Sequence, residues 1–323
     1  MAKWKVYVTR RIPQPALDLL SASCEVEVNE EDRVLTKAEL ISKVKGRDAV
    51  LCLLTDTIDA EVLDAAQGVK IFANYAVGYN NIDVEAATKR KIWVSNTPGV
   101  LTDTTADLAW ALIFAVARRV VEADRFTREG KFKGWAPMLF LGQDVTGKTL
   151  GIIGGGRIGE AVGKRAQGFA MKVLYNDIVR NVEFEKATGA TYVDKETLLK
   201  EADIISLHVP LLPETRHLIG AHELSLMKPT AILINTARGP VVDEDALVKA
   251  LKAKQIYGAG LDVFEEEPKV HPGLLELDNV VLLPHIASAS METRTKMGLM
   301  AAENILAVMK GQVPPYHVNM IEE

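Results

Sequence analysis

The chain has 323 residues, 48% of them hydrophobic and 25% charged, with a formal net charge of −5. That length suggests about two domains, and an acidic balance with no basic cluster argues against nucleic acid or an anionic membrane as the main partner. Two cysteines, Cys24 and Cys52, without a C-x-x-C spacing fit a reducing cytoplasm and argue against a disulfide framework or a zinc site, so no metal is expected.

The N-terminal segment runs straight into a strand and shows no signal-peptide core, which again points to the cytoplasm. Strand-like runs then alternate with amphipathic helices, the pattern of an α/β protein with parallel sheets. Strands are predicted at Lys5 to Thr9, Glu25 to Val28, Ala49 to Leu54, Lys70 to Ala76 and Ile92 to Asn96. Helices are predicted from Pro15, from Lys37, over Ala60 to Ala66 and over Val84 to Lys89. This is a complete small α/β unit without a phosphate-binding fingerprint. One long helical stretch follows, Thr104 to Arg128, with Thr102 or Asp103 as its cap. It contains the longest apolar run, Leu108 to Ala117, which is too short to span a bilayer. That run reads as a buried helix or an interface element.

The most informative segment comes next. An apolar strand, Thr149 to Ile153, enters Gly154-Gly155-Gly156-Arg157-Ile158-Gly159. Asp177 stands eighteen positions beyond Gly159, after a second strand at Lys172 to Tyr175. Strand, glycine turn, helix and a distant acid together form a dinucleotide fingerprint. Gly154 serves the tight turn, Gly156 lets backbone approach a pyrophosphate, and Gly159 lets the helix lie close to the sheet. The helix start at Arg157 and Ile158 offers N–H groups and a positive dipole end to phosphate. Gly155 stands where an apolar residue is commoner, which should not block binding. Further strands are predicted at Ile204 to Val209, Ala231 to Thr236, Tyr257 to Val263 and Val280 to Leu283. Helices follow at Glu244 to Lys254 and, last, Glu292 to Lys310.

Ligands of doubly wound sheets sit beyond the carboxyl ends of the strands. Those ends carry Val77 and Gly78, Asn96-Thr97-Pro98, His208, Thr236-Ala237-Arg238, Asp262 and His285. Arg238 is a permanently charged planar fork suited to a carboxylate, although an arginine at a strand end also makes ordinary ion pairs. Glu267 closes the run Glu265-Glu266-Glu267, and a solvated acidic turn accounts for Glu265 and Glu266. Of six histidines, only His208 and His285 directly follow an apolar strand of the nucleotide unit, and His208 reads as a wall of the cofactor pocket.

Ala237-Arg238-Gly239, Gly260 to Pro268 (GLDVFEEEP) and Leu283 to Ser288 (LPHIAS) together resemble the D-isomer-specific 2-hydroxyacid dehydrogenase family. Asn74 to Asp83 (NYAVGYNNID) and Ser95 to Pro98 (SNTP) do so as well, and the resemblance runs essentially end to end. It implies two Rossmann-like doubly wound parallel-sheet domains. The NAD-binding domain, 100–288, would be inserted into a flavodoxin-like substrate domain made of 1–99 and 289–323. It also implies an Arg238, Glu267 and His285 catalytic set. His285 would be the general acid in reduction and the base in the reverse direction. Glu267 would orient it, and Arg238 would hold the substrate carboxylate and polarise its carbonyl. Backbone N–H groups of Val77 and Gly78 would hold the carboxylate from its other side. Asp262 matches the position that binds the nicotinamide amide.

The same resemblance points to glyoxylate/hydroxypyruvate reductases as the nearest branch, with a small 2-oxo acid as substrate and a homodimer as the assembly. Small residues after His285 (Ile286-Ala287-Ser288-Ala289-Ser290) favour that branch over the D-lactate group, which carries bulky aromatics there. The end at Glu323 leaves no room for the regulatory domain of many D-3-phosphoglycerate dehydrogenases. Glu267 stands where formate dehydrogenases have glutamine. NAD-sensing corepressors share the catalytic residues and form the non-enzymatic alternative. Asp177 should accept from a ribose 2′-OH and repel a 2′-phosphate, placing NAD(H) ahead of NADP(H), while Arg180 could soften that preference. Trp135-Ala136-Pro137 resembles a segment that reaches a neighbouring subunit's substrate pocket, and it equally fits a plain dimer contact.

Overall fold

The alternation of apolar strands and amphipathic helices resolves, in this computed structural model, into two parallel sheets, each flanked by helices. Residues 3–321 are described. The chain divides into two units, one of Met1–Leu101 with Ser288–Glu323 and one of Thr102–Ala287. The ends of the expected substrate domain, 1–2 and 322–323, lie outside the described residues.

In chain order the first unit contains β1 (Trp4–Val8), α1 (Gln14–Ser21), β2 (Cys24–Val28), α2 (Lys37–Val44), β3 (Ala49–Leu53), α3 (Ala60–Ala65), β4 (Ile71–Tyr75), α4 (Val84–Lys89) and β5 (Trp93–Ser95). The second contains α5 (Thr102–Ala117), α6 (Val120–Arg128), β6 (Thr149–Ile153), α7 (Arg157–Ala166), β7 (Lys172–Asn176), α8 (Val182–Thr188), β8 (Thr191–Tyr192) and α9 (Lys195–Glu201). It continues with β9 (Ile204–Leu207), α10 (Ala221–Leu226), β10 (Ile232–Asn235), α11 (Glu244–Lys252), β11 (Gly258–Leu261), α12 (Pro272–Leu275) and β12 (Val280–Leu282). The chain then returns to the first unit as α13 (Met291–Met309), which packs on α1 and β4.

The first sheet has the order β2-β1-β3-β4-β5, the flavodoxin-like arrangement, with every pairing parallel. The second runs β12-β11-β10-β9-β6-β7-β8, also wholly parallel. Counted from β6, that is the doubly wound order 3-2-1-4-5-6 with one strand added. Its direction of winding reverses between β6 and β9, so the crevice for a ligand opens beyond Ile153 and Leu207.

Central strands are buried on both faces, which is why they read as unbroken apolar runs rather than alternating ones. In β10 all four residues, Ile232 to Asn235, are buried. Glycine in β11 has a packing cause. A Cβ on Gly260 would come within 3.0 Å of Leu112 Cβ, and one on Gly258 within 2.9 Å of Val116 Cγ1, so α5 lies directly on that strand. The apolar run Leu108 to Ala117 is therefore a core helix of the second unit, with Leu112 and Ile113 fully enclosed.

The single helix expected over Thr104 to Arg128 is two. Arg119 adopts φ +54°, a left-handed conformation that ends one helix and starts the next. The first begins at Thr102, so Thr102 and Asp103 lie in its opening turn instead of capping it. Strand β8, two residues at a sheet edge, had no sequence signal. Among the described residues no helix is long and apolar enough to cross a membrane.

Candidate active site

The glycine turn after β6 is shaped by contacts that only hydrogen permits. Gly154 has φ +105°, and a Cβ there would sit 2.5 Å from the His208 carbonyl oxygen. A Cβ on Gly159 would lie 2.1 Å from the Gly154 oxygen, so any side chain would push α7 off the turn. Around Gly156, in contrast, a Cβ would meet nothing within 4 Å. This residue is the N-cap of α7 and offers no capping side chain, so the first N–H groups of the helix, at Arg157 and Ile158, stay available to an anion. Arg157 is exposed and has no ion pair among the described residues.

Asp177 closes the other side of this turn. Its Oδ2 accepts from Gly155 N at 2.7 Å and its Oδ1 from Ile178 N at 2.7 Å. Each oxygen keeps a second lone pair for a hydroxyl donor. Arg180 is turned to Glu185, with Nε to Oε1 at 2.7 Å and Nη2 to Oε2 at 2.9 Å. That guanidinium, with the Tyr175 hydroxyl, holds the Glu185 pKa down at about 2. Across the crevice His208 bonds Ser206 Oγ at 2.8 Å through Nε2, and burial pushes its pKa down to about 3, so the ring is neutral at physiological pH. Thr236 Oγ1 at the end of β10 is buried with no hydrogen-bond partner. A free helix start, an open glycine face, a carboxylate with spare lone pairs and an orphaned hydroxyl line one sheet edge. They fit a dinucleotide.

Further along that edge stand the residues expected to act on substrate. His285 Nδ1 meets Glu267 Oε2 at 2.8 Å, and both side chains are partly exposed. Glu267 Oε1 accepts from Phe264 N at 3.0 Å, so its carboxylate is held at both oxygens. Burial raises the Glu267 pKa, but the His285 bond and charge, the Phe264 N–H and Arg238 outweigh it, and the net shift is downward. His285 itself adopts φ +54°, uncommon outside glycine and held here by its surroundings.

Asp262 supplies much of that hold. Its two oxygens accept from Ile286 N at 2.7 Å and Ala287 N at 2.8 Å, and the residue is fully buried. Desolvation raises its pKa against those two donors and the His285 charge. In this structure Asp262 thus anchors the backbone that follows the histidine. Arg238 lies close enough to Glu267 to feel its charge. Burial lowers the guanidinium pKa and Glu267 opposes the shift, yet arginine remains a cation in such settings. Its Nη1 donates to Ala237 O at 2.7 Å.

Asn235, which drew no attention in the sequence, sets that turn. Its Nδ2 donates to Arg238 O at 2.9 Å and its Oδ1 accepts from Ala237 N at 3.0 Å. The signal was its position as the one amide in a buried apolar strand. Val77 and Gly78 belong to the first unit, at the carboxyl end of β4. Asn96 Nδ2 donates to Val77 O at 2.8 Å and Asn74 Nδ2 to Gly78 O at 2.9 Å. The loop is held by its carbonyls, and neither N–H has a backbone acceptor among the described residues.

One expectation is corrected. Glu266 is the exposed acid of a solvated turn, paired with Lys269. Glu265 is not, because its side chain is largely buried and bonded to Glu244 and His217.

Comparison with known proteins agrees with this fold. Residues 110–287 match the family model described as D-isomer specific 2-hydroxyacid dehydrogenase, NAD binding domain. The chain belongs to the D-isomer-specific 2-hydroxyacid dehydrogenase family. It is 56% identical over 321 residues to a glyoxylate reductase of Thermococcus litoralis, covering 98% of this chain and 97% of that one. The TT0316 protein of Thermus thermophilus superposes with a TM-score of 0.93 at 48% identity, covering 98% of this chain and all of the other. An NADPH-dependent glyoxylate/hydroxypyruvate reductase of Sinorhizobium meliloti, solved with NADP and malonate, has a TM-score of 0.86 at 32% identity, with 98% and 97% coverage. Family membership makes this chain a nicotinamide-dependent dehydrogenase with a Rossmann-like cofactor unit.

Proposed function

We propose that this protein reduces glyoxylate or hydroxypyruvate to the corresponding 2-hydroxy acid with NADH, using Arg238, Glu267 and His285. The observation that carries the reading is the 2.8 Å pair of His285 and Glu267, in a chain 56% identical to a glyoxylate reductase. Gly154, Gly156, Arg157, Ile158 and Gly159 would receive the pyrophosphate. Asp177 would receive the adenosine ribose, with His208, Thr236, Ala237 and Asp262 along the remaining edge. A bound reduced nicotinamide supplies the hydride for the carbonyl carbon of the substrate.

The chain's own residues do the rest. With Nδ1–H committed to Glu267, Nε2 is the nitrogen that delivers a proton to the developing alkoxide. Ionised Glu267 favours the imidazolium before transfer and fixes the plane of the ring. Arg238 pairs with the substrate carboxylate and polarises the carbonyl oxygen. The family resemblance assigns the second hold on that carboxylate to the backbone N–H groups of Val77 and Gly78. In the oxidative direction His285 takes the hydroxyl proton.

Preference for NADH rests on Asp177, whose carboxylate would repel a 2′-phosphate, and on Arg180, which is committed to Glu185. The protein acts as a homodimer in the cytoplasm. Its contact is the stretch after α6, where Phe132, Trp135, Met138 and Leu141 are exposed, Trp135 to 85%. Beside it a cavity of about 760 Å³, lined by Val116, Leu141, Tyr257 and Val280 among others, opens at the amino ends of β11 and β12, the opposite end of β12 from His285. Sedimentation velocity tests the dimer.

The activity is tested by kcat/KM for glyoxylate, hydroxypyruvate and pyruvate with NADH and NADPH. Highest efficiency with one of the first two and NADH supports the reading. Tight NADH binding without turnover of any of the three would support the corepressor-like alternative.

A further inference from the structure

The catalytic-set glutamate is the last of three in a row, and the first of the three is buried for a reason that the proposed reaction does not explain. Glu265 Oε1 accepts from the backbone N–H of Glu244 at 3.0 Å, and Glu244 Oε1 accepts from the backbone N–H of Glu265 at 2.9 Å. The two residues, 21 apart in sequence, exchange side-chain and backbone partners as an antiparallel pair of strands exchanges N–H and C=O. Glu244 is only 6% exposed. It opens α11, so the Glu265 carboxylate sits on the first N–H of a helix, where negative charge is favoured. His217 Nε2 lies 3.0 Å from the same Glu265 Oε1. His217 is itself held in a left-handed conformation at φ +51°, with its N–H on Pro240 O at 2.7 Å.

This cluster touches the active-site loops from behind. A Cβ on Gly239 would fall 1.9 Å from the Phe264 carbonyl carbon and oxygen and 2.5 Å from Glu265 N, so the backbone after Arg238 lies directly on the backbone before Glu267. Phe264 N in turn donates to Glu267 Oε1. Only Glu265 lies between Phe264 and the exposed Glu266. Without its side-chain anchor, the segment that carries Glu267 would be tied only by the Glu265 N–H on Glu244 Oε1, the Phe264 bond and the His285 contact.

We infer that Glu265 and Glu244, with His217, are positioning residues that clamp the Phe264-to-Glu267 loop against the Arg238–Gly239 turn and so hold Glu267 on His285 Nδ1. The inference rests on the catalytic roles proposed above. The run Glu265-Glu266-Glu267 divides accordingly: one acid faces inward to α11, one faces solvent, and one faces the imidazole.

The test is a double-mutant cycle on the full chain, with glyoxylate and NADH as substrates. Glu265→Ala lowers kcat by about 10–100-fold, the scale expected when a catalytic group is misplaced by an ångström or less, while KM for NADH and the Tm change little. Glu265→Gln keeps an acceptor oxygen for Glu244 N and restores kcat to within about threefold. In Glu265→Ala/Glu267→Ala the loss is no larger than in Glu267→Ala alone, because the clamp acts through Glu267. Multiplicative losses in the double variant, or unchanged kcat in Glu265→Ala, would overturn the inference. If Glu265→Ala does not fold, Glu244→Ala paired with Glu267→Ala carries the same cycle from the other end of the clamp. An unchanged Glu267→Ala enzyme would instead remove the catalytic reading on which the clamp depends, so the two failures are distinct.

Discussion

Replacing Glu267 by glutamine removes the charge of the His285 partner and turns one of its two accepting oxygens into a donor. The amide oxygen can still accept from Nδ1–H at the observed spacing of 2.8 Å, which leaves the amide nitrogen facing the Phe264 N–H. What is lost at the imidazole is the charge assistance of that bond. A hydrogen bond to a charged partner contributes about 1.5–3 kcal/mol and a neutral one about 0.5–1.5 kcal/mol. Both side chains keep some solvent contact, 26% for His285 and 31% for Glu267, so the smaller end applies and the loss is about 1–1.5 kcal/mol. At about 1.36 kcal/mol per factor of ten in rate, kcat for reduction falls by about tenfold or more. Steady-state NADH oxidation with glyoxylate reads the loss directly. A kcat within about twofold of wild type would refute the claim that Glu267 acts on His285 by its charge.

Other consequences follow from the same geometry. Arg238→Ala should lower kcat/KM for 2-oxo acids by about 10²–10³-fold, the scale of losing one preorganised donor, while NADH binding by fluorescence quenching is retained. Asp177→Ala should raise the NADPH/NADH ratio of kcat/KM, since a repulsive carboxylate leaves and Arg180 is already paired; an unchanged ratio would remove Asp177 from the ribose. Gly159→Ala puts a methyl 2.1 Å from the Gly154 oxygen and should abolish NADH binding measured by titration. Glu267 also predicts acid behaviour. Its folded pKa is depressed, so the stability that it confers is present above its unfolded value of about 4.3 and is lost as pH falls through the folded value. The Tm difference between wild type and Glu267→Gln should therefore shrink below about pH 4.

Much of this is legible in the sequence, for reasons that differ by residue. The turn from β6 into α7 is local. Gly154, Gly156 and Gly159 act within one strand–turn–helix, so their spacing alone announces the chemistry. Strand ends are legible for a related reason: Arg238, Asp262 and His285 each follow an apolar run whose burial is obvious. What escapes is set by contacts distant in sequence. Glu265 looks like its neighbour Glu266, and only the meeting of Phe264 with Gly239 and of Glu244 with Glu265 separates them. The bonds from Asn235 to Ala237 and Arg238 are hidden inside a strand signal. The break at Arg119 violates no propensity strongly enough to be seen, because both flanking segments are good helix formers. The return of α13 to β4 and α1 is a matter of topology, which a linear pass does not see and only the family resemblance implied.

The most direct test of the central claim is to remove the proposed proton donor and ask what remains. His285→Gln should bind NADH with near-normal affinity, because the glycine turn and Asp177 are untouched. Its kcat for glyoxylate or hydroxypyruvate should fall by about 10²–10⁴-fold, the range associated with a positioned general acid. Turnover within a few-fold of wild type would place the acid–base chemistry elsewhere and contradict the account.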